Sequence, residues 1–116
     1  MISHVYREMI PTNSDGEAII HFDLMGRIEE INVDYGTCEQ DTLVSFRTSS
    51  GHTFDVMGNN SQNFPINPRH TPNTRGMTHL AEPTLEKYVN AGFFTVKFSN
   101  TGPDKVVHFV EIIYSD

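Results

Sequence analysis

The sequence predicts an all-β protein, an antiparallel β-sandwich or jelly-roll-like fold of about seven strands. Three observations point there. Apolar and polar residues alternate with period two in run after run, as in RIEEINVDY and FFTVKFS. Clusters of Gly, Asn, Asp and Ser interrupt these runs at short, regular intervals. Only Thr84–Val89 suits a helix, of about a turn and a half at most, with Asn90-Ala91-Gly92 to stop it.

In chain order, His4–Ile10 reads as a first strand ended by Pro11. The turn cluster Thr12–Gly16 leads to Glu17–Phe22, so the first two runs are expected to form a hairpin. Met25-Gly26 breaks the chain again. In Arg27–Tyr35, the side chains of Ile31, Val33 and Tyr35 fall on one face and Glu30, Asn32 and Asp34 on the other. Ile28 is out of phase with this set, which predicts a β-bulge near Glu29-Glu30.

Thr42–Thr48 and His52–Met57 flank Ser49-Ser50-Gly51, a hairpin turn with glycine where a left-handed residue is wanted. Val44 and Phe46 should pair across it with Phe54 and Val56. Phe94, Val96 and Phe98 share one face of the next strand. The last and longest run, Lys105–Tyr114, is apolar on both faces and reads as a central strand, the second arm of a terminal hairpin. His108 on this strand reads as a satisfied core histidine.

Residues 1–116 are expected to form a single domain, large enough for its own core. Within it, Gly58–Pro83 stands apart as one long proline-rich loop. It carries Pro65, Pro68, Pro72 and Pro83, four of the six prolines in the chain. Each proline fixes φ and removes a backbone donor, so this density suits neither a strand nor a helix. Loops longer than about 12–15 residues are uncommon in compact domains and are usually functional or disordered. Phe64, Ile66 and Met77 supply apolar anchors, and Arg69, His70 and Arg75 supply a local basic excess, on an acidic chain. These six residues are the candidate protein-interaction site, on an ordered arm that packs on a partner or a neighbouring copy. The plainer alternative is a loop folded over its own sheet edge.

The formal charge of −7 argues against a nucleic-acid-binding surface, which requires a basic footprint. Cys38 is the only cysteine, so no internal disulfide forms, and a small buried thiol in a reducing cytosol is its simplest role. The N-terminal residues lack the pattern of a signal peptide, and no apolar run approaches the length of a membrane span. Synthesis in a cytosol with no membrane partner is the expectation.

Catalytic and metal motifs are missing from the sequence. The histidines His4, His21, His52, His70, His79 and His108 are scattered singly, with no HxH or HExxH spacing. There is no GxSxG elbow, no phosphate-cradling glycine loop and no dinucleotide fingerprint. Glu29 and Glu30 are neighbours that point to opposite faces of a strand, and a solvated polar face accounts for them. No cofactor and no enzymatic activity is expected. A carbohydrate- or ligand-binding module is a possible role for a small β-sandwich, but the chain has no tryptophan to form a flat sugar platform.

The chain contains an opening VYRE strand, a DGEA turn, the GRIEEINVDYG strand, a polar loop with Pro68-Arg69 and the closing AGFFTVKFSNTGPDKVVHFVEIIY. In this pattern, over nearly its whole length, it resembles small head-associated structural proteins of tailed bacteriophages and prophages. Its closing turn, Asn100-Thr101-Gly102-Pro103, is poorer in glycine than is usual in that group. The resemblance implies a virion component: a capsid decoration (cement) protein that binds the outer surface of the capsid, made in the host cytoplasm. The implied partners are the major capsid protein or another virion protein, and other copies of the chain, as in a trimer. A head–tail connector or tail component is the alternative role within the same group.

Overall fold

The computed structural model describes residues 3–57, 65–70 and 86–116. These residues form nine strands: β1 (Ser3–Pro11), β2 (Ala18–Asp34), β3 (Leu43–Arg47), β4 (Thr53–Met57), β5 (Pro65–Ile66), β6 (Arg69–His70), β7 (Glu86–Lys87), β8 (Val89–Ser99) and β9 (Val106–Ser115). Seven of them make one antiparallel sheet in the order β1-β9-β2-β8-β3-β4, with β5 added to β2. The short strands β6 and β7 pair with each other. The all-β expectation holds, and no helix occurs among the described residues.

The long strand β2 organises the sheet. Its first part, Ala18–Arg27, pairs with β8, and its second part, Arg27–Asp34, pairs with β9. The change of partner occurs at Gly26, whose φ of 146° lies outside the range that L side chains favour. A Cβ at Gly26 would lie 2.3 Å from the Ser115 carbonyl oxygen, so this close approach requires a glycine. Immediately afterwards the β2–β9 register shifts between Ile28 and Glu30, which is the expected bulge. The bulge resets the alternation: Phe22, Leu24 and Ile28 are buried before it, and Ile31, Val33 and Tyr35 after it.

The core lies against one face of this bent sheet. Phe22, Phe46, Phe94 and Phe98 are fully buried, and Val107, Val110 and Ile112 of β9 join them. The Phe46 and Phe94 rings stack with centroids 6.0 Å apart, and Tyr6 of β1 meets Phe22 of β2 edge-on at 4.8 Å. Burying an aromatic side chain of this size stabilises the fold by about 1.5–3 kcal/mol. The expected β3–β4 hairpin forms, and its register sets Val44 opposite Val56 and Phe46 opposite Phe54.

Four local expectations are corrected. β1 and β2 do not form a hairpin, because β9 runs between them and pairs with both. A strand apolar on both faces gains most when both of its edges are paired, and β9 takes that central place. β8 and β9 do not pair with each other either; each pairs with a different part of β2. The segment expected to be helical instead contributes β7 and the start of β8, where Arg27 pairs with Val89. His108 is exposed rather than buried, with its Nδ1 3.6 Å from Asp34 Oδ1. Glu8 and Ile10 of β1 face Val110 and Val107 of β9, so β9 carries one extra residue there. Val107 and Val110 are both buried in consequence, and His108 is turned away from the core.

At one end of the sheet the β1–β2 and β8–β9 connections brace each other. Thr101 N donates to Gly16 O at 3.1 Å, and Asp104 N donates to Asn13 O at 3.0 Å. Asn13 Oδ1 also accepts from the amides of Asp15 and Glu17, which closes the turn from inside.

Candidate functional site

The described part of the proline-rich loop is attached to β2 at its bulge. Pro65 and Ile66 add a short strand beside Asn32 and Ile31, and the Ile66 side chain packs on the core. Pro68 is buried. The chain then pairs Arg69 with Lys87 and His70 with Glu86. This pairing sets His70 and Glu86, the residues that flank 71–85, side by side.

Glu29, the residue displaced by the bulge, ties this stem to the sheet. Its Oε1 accepts from Lys87 Nζ at 2.7 Å and from Ser115 Oγ at 2.7 Å. Its Oε2 lies 2.6 Å from the same ammonium. Its backbone carbonyl accepts from Arg69 Nη1 at 3.1 Å, and that nitrogen also donates to Pro68 O at 2.7 Å. Ile28 N donates to Tyr88 O at 2.8 Å. The Lys87 and Ser115 hydrogen bonds hold the Glu29 carboxyl below its ordinary value, against a smaller opposing effect of burial. One carboxylate thus gathers β2, β7 and β9, while its own carbonyl takes the guanidinium at the base of the loop.

Of the six candidate interaction residues, the structure brings Ile66, Arg69 and His70 together at this stem. Ile66 faces the core, and the Arg69 guanidinium is hydrogen-bonded within its own chain. Phe64, Arg75 and Met77 lie outside the described residues, as does His79.

A second anchor lies beside the stem. Asn90 is fully buried, with Nδ2 donating to Leu24 O at 2.8 Å and to Gly92 O at 2.9 Å. Its Oδ1 accepts from Ser49 N at 2.8 Å. This side chain binds the β3–β4 turn to β2 and β8. Close by, Tyr88 stacks on Phe54 with centroids 4.8 Å apart. Sequence reasoning missed Glu29, Lys87, Ser115 and Asn90. The only available signal was the bulge, because a bulge leaves one side chain facing neither the core nor the regular outer face.

At the same end of β9, a cleft of about 650 Å³ is lined by His4, Asp23, Leu24, Met25, Gly26, Tyr114 and Asp116. His4 Nε2 hydrogen-bonds to Asp116, and the His4 ring stacks on Tyr114 at 5.1 Å. Among the described residues no group of three His, Cys, Asp or Glu side chains converges as a metal site requires. Cys38 is buried, and that burial pushes its thiol up. No family model, curated protein or solved structure matches the chain.

Proposed function

We propose that the chain is a non-enzymatic virion structural protein that binds the outer surface of a bacteriophage capsid and stabilises it. The observation that carries this reading is the stem at Glu29. The residues that flank 71–85 pair with each other, Arg69 with Lys87 and His70 with Glu86, and Arg69 and Lys87 are both held to β2. A segment whose ends are held in this way loses less conformational entropy on docking than a free tail. The sheet supplies a rigid base, and the segment carries Arg75, a cation suited to a carboxylate on a capsid subunit. The sequence-wide resemblance to phage head proteins names the partner.

The test is a copy number. Particles of the phage or prophage that encodes the chain are purified on a density gradient, and the chain is quantified against the major capsid protein by mass spectrometry. A ratio near that of the capsid subunit, or a simple fraction of it, supports decoration. A trace ratio assigns the chain to the neck or tail. Absence from particles overturns the virion reading and leaves the His4–Tyr114 cleft, as a ligand site, to be tested by glycan and small-molecule binding. Arg75→Ala separates the segment from the sheet: weaker particle binding with unchanged thermal stability is expected.

A further inference from the structure

The two outer faces of the bent sheet carry opposite charge, each around exposed apolar side chains. On the β2–β8–β3 face, Ile19, Met25 and Phe93 are 56%, 73% and 61% exposed. The strand register sets Lys97 beside Ile19 and Ser45, and Arg47 beside Thr95, one step from Phe93. Asp23 lies opposite Phe93 on this face, and the register sets Asp55 of β4 beside Ser45. On the β1–β9–β2 face, the register sets Val5 beside Ile113, and Ile113 beside Glu30. Asn32 Nδ2 donates to both Glu30 Oε2 at 2.9 Å and Glu111 Oε1 at 3.1 Å, which holds the two carboxylates side by side. Arg7, the cation of this face, lies 4.0 Å from the centre of the Phe109 ring. Asp34 is engaged by His108 at the margin.

We infer that these faces bind each other between copies of the chain, the Arg47–Lys97 face of one copy on the Glu30–Glu111 face of the next. Charge complementarity identifies the occupant. In an acidic chain of net charge −7, the face that exposes Ile19, Met25 and Phe93 is also the one that gathers Arg47 and Lys97. A surface that must meet an acidic copy of itself needs that sign at its rim and an apolar centre. Because the two contact surfaces differ, the contact is heterologous. It closes into a ring if the rotation between copies permits and otherwise extends as a row. The inference stands independently of the capsid reading.

Sedimentation velocity on the whole chain tests it, using two charge-reversed variants. Arg47→Glu with Lys97→Glu makes both faces acidic, and Glu30→Lys with Glu111→Lys makes both basic. The wild-type chain should associate, with affinity falling about tenfold or more when salt is raised from about 0.05 M to 0.5 M. Each variant alone should be monomeric, and an equimolar mixture of the two should associate again. Phe93→Ser, at a position 61% exposed, should weaken wild-type association at all salt concentrations. Circular dichroism melts confirm that each variant is folded. A monomeric wild-type chain overturns the inference. Undiminished association of either variant alone, which indicates a face pairing with its own kind, also overturns it. So does a mixture that stays monomeric.

Discussion

Glu29 Oε2 lies 2.6 Å from Lys87 Nζ, and this contact joins residues 58 positions apart in the chain. The pair exists because the bulge at Ile28–Glu30 turns Glu29 out of the β alternation and toward β7. Ser115 completes the carboxylate's environment from β9, the strand that pairs with the second part of β2. A carboxylate that accepts from an ammonium and a hydroxyl, half-buried, is worth more than an isolated surface ion pair.

Glu29→Gln should therefore destabilise the chain by about 1 kcal/mol at neutral pH, because the ion pair is lost while a hydrogen-bonding side chain remains. Because the folded chain holds this carboxyl below its ordinary value of 4.5, the stabilisation is present above that pH. It is lost progressively as the pH falls below 4.5 and through the lower folded value. Urea denaturation of both chains across this range should show the difference closing on the acid side. A difference that stays constant from neutral pH to strongly acid pH would mean that the ion pair does not hold the stem.

Asn90 makes three hydrogen bonds from a fully buried amide, so its loss should cost more than that of Glu29. Asn90→Ala leaves Ser49 N and the Leu24 and Gly92 carbonyls without this partner, at a cost of about 2–4 kcal/mol. Asn90→Asp is the sharper test. An aspartate still accepts from Ser49 N, but it places a carboxylate against two carbonyl oxygens. Its melting temperature should fall as far as that of the alanine variant at neutral pH, and recover in part in acid as the carboxyl protonates.

The fold was legible in the sequence wherever the signal was local. The β3–β4 hairpin was visible in Ser49-Ser50-Gly51 and its flanking aromatics, and the bulge in the misplaced phase of Ile28. The pairing partners were not legible, because nothing local in β1 or β8 states that β9 and β2 will lie beside them. Thr84–Val89 shows why. Glu86 and Lys87 are good helix formers, and Gly92 is a good stop, but the hydrogen bond to Ile28 and the stacking of Tyr88 on Phe54 favour the extended form. Glu29 looked like a solvated carboxylate because its three partners, Lys87, Ser115 and the base of the loop, come from distant parts of the chain.

Gly26→Ala tests the bend itself. The new Cβ would lie 2.3 Å from Ser115 O and 3.0 Å from its carbonyl carbon, with the backbone already at φ 146°. The obstacle is backbone on a paired strand, which cannot rotate aside as a side chain would. A loss of about 3 kcal/mol or more is expected, measured as a fall in the denaturation midpoint. Gly51→Ala, in the β3–β4 turn, meets only the tip of Arg47 at 3.9 Å and should cost less, from its φ of 93° alone. Equal losses at the two positions would show that positive φ, and not the approach of β9, makes Gly26 necessary.

Alkaline pH should destabilise the chain through two neighbouring groups. Burial pushes the Tyr35 phenol up from 10.0 to about 12, with a smaller contribution from the Cys38 thiolate. Burial likewise raises the Cys38 thiol above its ordinary 9.0, against smaller opposing effects of Lys105 and of the Cys38 backbone hydrogen bond. In both cases the neutral form is the one the fold accommodates, and the unfolded chain releases its proton first. The stabilisation is therefore complete below about pH 9 and declines above it, with the Tyr35 share lost as the pH rises from 10.0 through about 12. Denaturation midpoints measured from pH 8 upward should fall, and Tyr35→Phe should reduce the fall above pH 10 because phenylalanine has no proton to release. The same burial makes the native thiol slow toward a disulfide reagent, and denaturant should raise its rate by about a hundredfold or more. If Cys38 reacts in the native chain as fast as a free thiol, the turn from Tyr35 to Cys38 opens without global unfolding, and the alkaline loss would then come from that local opening.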